Sequence, residues 1–110
     1  MSEVLDAQVL DDLIEHIGAD GAQAVIELFI GECRELAAAM AAPGADCVAV
    51  GRAAHSLKSS AGQLGAIALS EAALAVESAA GTGSPALPQL VAALGECAAL
   101  TEDALAARLQ

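Results

Sequence analysis

The residue of this 110-residue chain best placed to do chemistry is His55. It stands in Ala53-Ala54-His55-Ser56-Leu57-Lys58-Ser59-Ser60-Ala61-Gly62-Gln63-Leu64-Gly65-Ala66. On a helix advancing about 100° per residue, Val50, Ala53, Ala54, Leu57, Ala61 and Leu64 share one apolar face. His55 falls nearly opposite Leu57. Arg52, Ser59 and Gly62 are on its side, and Lys58 is at the flank. An imidazole titrates near neutrality and can act as a nucleophile, a base or a metal ligand. The plain alternative is a histidine on a solvated helix face. Against it stands the placing of the cations. Only four Lys or Arg face fifteen Asp or Glu, yet two of the four lie three residues either side of His55.

Several chemistries can be set aside. Ser56, Ser59 and Ser60 are close, but a serine on a helix with no oxyanion-hole loop lacks the machinery of acyl transfer. Metal binding needs further ligands on the same patch, and none is spaced for it. Cys33, Cys47 and Cys97 are odd in number and widely spaced, with no Cys-x-x-Cys, so they read as free thiols in a reducing compartment. A net charge of −11 repels nucleic acid. Phosphoryl transfer fits better: a phosphorylated imidazole gains negative charge that Lys58 and Arg52 can offset, and small neighbours let a partner close over the ring. No Gly-rich nucleotide loop occurs, so the phosphoryl group must come from another protein.

The elements that position His55 are helices. Strand-like alternation is absent, and Pro and Gly punctuate the apolar segments. Asp6 can cap a short first helix with Val9, Leu10, Leu13, Ile14 and Ile17 on one face and Gly18 as its stop; His16, in its last turn, reads as structural. Asp20 and Gln23 form a capping-box pattern for a second helix whose buried stripe is Val25, Leu28, Phe29, Cys33, Leu36 and Met40, ending at Pro43. Asp46 can cap the helix that carries His55 to about Leu64, with Gly65 as its stop. A further helix runs from about Ala66 to Ala80 and, apolar on most sides, should be central. Ser84 and Pro85 suit the start of the last helix, with Pro88 blurring its exact start; it reaches Arg108 and Gln110. The expected fold is all-α: an antiparallel up-down-up-down four-helix bundle, with an additional short N-terminal helix packed across one end, in a single domain over 1–110.

This plan brings a carboxylate to His55. His55 lies ten residues before the turn at Gly65 and Glu77 twelve after it. At the rise of an α-helix both are roughly 15–18 Å from the turn, at one height on adjacent antiparallel helices. Glu77 lies between apolar faces and needs a hydrogen-bond partner. The imidazole Nδ1–H would serve, leaving Nε2 outward; so would water.

These residues resemble the signature of histidine-containing phosphotransfer (HPt) domains. That signature has Leu-Lys two and three positions after the His, small residues, and a Leu-Gly pair nine and ten positions on, here Leu57-Lys58 and Leu64-Gly65. Ala53-Ala54, Leu69-x6-Val76-Glu77 and the helical plan also resemble the family. The resemblance implies a phosphorelay intermediate, a stoichiometric carrier with no kinase or ATPase activity of its own. It would accept a phosphoryl group from a receiver-domain aspartyl phosphate or a histidine kinase and pass it to a response-regulator receiver aspartate. His55 would be the acceptor, Lys58 its electrostatic partner and Glu77 the group that orients the imidazole. Arg52, Ser59 and Gly62 would lie on the docking surface. Ser59 departs from the family, which usually has Gly there; its hydroxymethyl group is small and can hydrogen-bond a phosphoryl oxygen. No cofactor of its own is implied, and Mg²⁺ is expected in the partner receiver. A non-phosphorylated adaptor that binds receiver or kinase domains, or a purely structural bundle, are the other readings of such a chain.

Length and composition bound the setting. One Phe and no Trp or Tyr leave Ala, Leu, Val and Ile to build the core, which suits closely packed helices. No apolar run is long enough to span a membrane. The opening Met-Ser-Glu-Val-Leu-Asp lacks a basic stretch followed by an apolar one, which points to the cytoplasm, and its Met1 to a free-standing protein. A monomer is expected, since one intact bundle needs no partner to fold.

Overall fold

The helix that carries His55 begins at an aspartate. In the computed structural model, which describes residues 3–109, Asp46 is extended and its side chain accepts the Ala49 N–H at 2.7 Å. That bond satisfies one of the amides a helix start leaves without a partner. Asp6 does the same at the first helix, accepting from the Gln8 N–H at 3.0 Å. Four helices follow in order: α1 (Ala7–Ala41), α2 (Cys47–Gln63), α3 (Ile67–Thr82) and α4 (Leu87–Arg108). No strand occurs among the described residues. Each helix packs on its neighbour in sequence and α1 also packs on α4, while the diagonal pairs do not meet.

Two boundaries differ from the expected ones, and one holds with a difference of form. The break at Gly18 is real, with φ 80° and ψ 169°, but helix resumes at the next residue. Gly18 thus ends a first helical segment, as expected, and a second segment follows it with no loop between them, both within the range of α1. Asp20 accordingly lies within α1, and Gln23 donates forward to Glu27 at 3.0 Å in place of a capping box. At α4, the Ser84 side chain accepts the Ala86 N–H at 3.2 Å, and the helix starts at Leu87 with Pro88 in its first turn, where a missing N–H costs nothing. Gln110, the expected end of that helix, lies outside the described residues.

The core is aliphatic. Leu10, Ile26, Leu57, Leu69, Val76, Leu94 and Leu105 are fully buried, and Thr101 joins them with its hydroxyl donating to the Cys97 carbonyl at 2.8 Å. The stripe of α1 runs through Ala22, Ile26, Phe29, Cys33 and Met40. Val25 and Leu28 were expected in it and are exposed, Leu28 to 75%. Leu74 is also half exposed, because α3 packs on α2 and α4 alone and its fourth side meets solvent.

Between α2 and α3 the buried side chains are small. Ala54 and Ala61 of α2, Ala66 before α3, and Ala73 of α3 are fully buried alongside Leu57, Leu69 and Val76. Methyl side chains let two helices approach closely. The turn between them is fixed at Gly65, whose φ of 74° belongs to the left-handed region. Its carbonyl accepts the Asp6 N–H at 2.7 Å, and a Cβ there would stand 2.8 Å from Val9 Cβ. The start of α1 is therefore seated on the α2–α3 turn.

Candidate functional site

The α2–α3 seam sets the register of the site. His55 projects from the solvent side of α2, between the buried Ala54 and Leu57. Glu77 follows the buried Val76 on α3. Across the seam, His55 Nδ1 lies 2.7 Å from Glu77 Oε2. A carboxylate only accepts, so the shared proton belongs to Nδ1 and the neutral ring carries its lone pair on Nε2. The His55 side chain is 62% exposed and that of Glu77 only 27%. The ring is thus held from inside and open to solvent outside.

Lys58 completes the cluster. Its ammonium donates to the other carboxylate oxygen, Glu77 Oε1, at 2.6 Å and is half-buried. The sequence places Lys58 on the flank of His55 but does not reveal this bond. Two hydrogen-bond donors hold the Glu77 carboxyl below its usual range: Lys58 first, then His55, against a smaller opposing effect of burial. Glu77 is therefore a carboxylate at neutral pH. The backbone beneath is braced as well, since the Ser70 hydroxyl of α3 donates to the Lys58 carbonyl at 3.1 Å.

The other residues singled out in the sequence divide into two groups. Arg52 shares with His55 and Glu77 an open groove of about 670 Å³, which Val48, Gly51, Ser56 and Gly81 also line. Ser59 and Gly62 are exposed on α2 but do not line it. A Cβ at Gly62 would meet only Ser70 Oγ at 3.7 Å, an ordinary contact, so packing does not demand glycine there. Sequence reasoning missed Gly51 and Gly81 as groove residues. Gly51, one turn before His55, carried the only usable signal: a helix-interior glycine beside a reactive side chain.

The remaining candidates lie elsewhere. His16 donates or accepts at Nδ1 with the Asp12 carbonyl at 2.9 Å; a carbonyl accepts, so Nδ1–H donates, and the contact is local to α1. All three cysteines are free. Burial foremost, with Glu102 next, pushes the Cys33 thiol up to about 11, so it is an unreactive core group. Among the described residues, no helix is long and apolar enough to cross a membrane.

The arrangement can do one thing well: present an exposed nucleophilic Nε2 whose opposite ring nitrogen is anchored to a carboxylate. Comparison with known proteins agrees in fold and family. The structure is similar to the crystal structure of histidine-containing phosphotransfer protein B (HptB) from Pseudomonas aeruginosa PAO1. The TM-score is 0.91 at 23% identity, over 100% of this chain and 97% of that one. No curated protein sequence matches. The family model described as Hpt domain matches residues 24–109, which contain His55, Lys58 and Glu77. On that match, the chain belongs to the Hpt domain family.

Proposed function

We propose that this chain is a phosphorelay intermediate that carries a phosphoryl group on His55 Nε2. The coarser role, phosphotransfer in two-component signalling, follows from the family. The observation that supports the finer reading is the 2.7 Å contact of His55 Nδ1 with Glu77 beneath an exposed ring. In the forward step, the Nε2 lone pair attacks the phosphorus of a receiver-domain aspartyl phosphate. The N–P bond forms, the P–O bond to the aspartate breaks, and its carboxylate leaves. The ring becomes a cation whose Nδ1–H still donates to Glu77, whose negative charge favours it. Onward transfer to a response-regulator aspartate reverses these bonds. A histidine kinase can load the same nitrogen. The receiver supplies Mg²⁺, and Lys58, by neutralising Glu77, limits the repulsion between that carboxylate and the incoming phosphoryl group.

Docking is assigned to the exposed surface around the ring, with Arg52, Ser59 and Gly62 upon it. The short loops, and the packing of each helix on its sequence neighbour, support an up-down-up-down reading of the bundle. The carrier is read as a cytoplasmic monomer.

The test is direct. The chain is incubated with a panel of phosphorylated receiver domains and autophosphorylating histidine kinases, and the label it acquires is treated with acid and base. Acid-labile, base-stable label lost in His55→Gln is expected. Absence of label with every partner, or unchanged label in His55→Gln, refutes the carrier reading.

A further inference from the structure

We infer that Arg52, and not Lys58, is the side chain that directly contacts the phosphoryl oxygens on His55. The inference rests on the carrier reading and assigns the two cations of the motif different tasks. The chain has four Lys and Arg in all. Three are committed to carboxylates: Arg34 to Glu102, Arg108 to Asp11, and Lys58 to Glu77. Among the described residues, Arg52 alone of the four has no carboxylate partner. It is exposed and lines the groove that holds His55.

Geometry favours it further. Arg52 and His55 are three residues apart on α2, so their Cβ atoms are about 5–6 Å apart on one face. A guanidinium offers a planar fork that matches two phosphoryl oxygens at once. Lys58 is drawn to Glu77 at 2.6 Å and does not line the groove, whereas Arg52 does. Among the described residues, Glu77 is the only carboxylate lining the groove. Gly51 keeps the groove low beside Arg52. A Cβ on it would meet only Ala80 Cβ at 3.6 Å, so packing leaves that space open.

The full chain can be loaded without a partner by phosphoramidate. The Nε2–P bond forms, the P–N bond of the reagent breaks, and the amine leaves as ammonia. Phosphorus NMR then follows the titration of the bound phosphoryl group in the wild type, Arg52→Gln, Arg52→Lys and Lys58→Gln. A bound guanidinium favours the dianion and lowers the midpoint. Arg52→Gln should raise it by about 0.5–1 pH unit, a discounted share of the shift that a close opposite charge produces. Arg52→Lys should recover part of the difference. Lys58→Gln should move the midpoint less than Arg52→Gln. A midpoint unmoved by Arg52→Gln, or moved more by Lys58→Gln, overturns the inference while leaving the carrier reading intact. Failure of His55 to take the phosphoryl group at all counts against the carrier reading, and the inference falls with it. Circular dichroism of Arg52→Gln should match the wild type, since this exposed side chain makes no contact that the fold needs.

Discussion

Replacing Gly65 with alanine tests whether the α2–α3 turn, which sets the His55–Glu77 register, is locked by the start of α1. Two costs add. An alanine at φ 74° occupies the left-handed region, at roughly 1–2 kcal/mol. Its Cβ would also stand 2.8 Å from Val9 Cβ and 3.1 Å from the Asp6 carbonyl oxygen. Neither atom is the free end of a flexible side chain, so the α1 backbone must move, an overpacking cost of about 1–3 kcal/mol. The sum is about 2–5 kcal/mol, which lowers Tm by roughly 10–20 °C in a domain of this size. Gly83 supplies the control. Its φ is 65°, but a Cβ there would meet nothing within 4 Å, so Gly83→Ala bears the backbone cost alone. Thermal and urea denaturation of both variants, followed by circular dichroism, isolates the packing term as their difference. Equal losses in the two variants would refute the seating of α1 on the turn.

Two further outcomes follow from the site and its support. Leu57→Ala removes a fully buried side chain that separates His55 from Lys58 along α2, and should cost about 2–5 kcal/mol in urea denaturation; a loss under about 1 kcal/mol would mean the seam can collapse to fill the space. Glu77 has its carboxyl lowered by Lys58 and then His55. Its contribution to stability is therefore complete above the ordinary carboxylate range and is lost as pH falls through the lowered value. Denaturation across acid pH should show a shallower fall in Glu77→Gln than in the wild type, and an equal or steeper fall would argue against the ion pair.

Much of the frame was legible because it depends on local rules. Asp6, Asp46 and Gly65 do what a cap or a stop residue does in any helix. The height match of His55 and Glu77 needed only the rise per residue and the position of one glycine. Side-chain choices were harder. Lysine has a long flexible stem, and from its place on α2 it can reach either solvent or Glu77; the pattern of α2 does not say which. In the α1 stripe Phe29, Cys33 and Met40 are buried as expected, but Val25 and Leu28 are not, because Val25, Ile26, Leu28 and Phe29 are all apolar and periodicity cannot choose between adjoining faces. The helix from about Ala66 to Ala80 is expected to be central because it is apolar almost all round, yet Leu74 is exposed, since burial is decided by how many neighbours a helix has. The kink at Gly18 was visible as a break, but whether a loop followed it depended on backbone geometry that the residue type alone leaves open.

The alanines of the α2–α3 seam have a consequence for motion. Ala54, Ala61 and Ala73 have no χ angles, so burying them freezes no rotamers and leaves none to hop. The spacing of the two backbones that carry His55 and Glu77 is then set by direct contact across the seam. It changes only when whole helices shift, a slower and costlier event than a side-chain flip. On the carrier reading, a ring that meets more than one partner is in this way borne by two backbones with few alternative states.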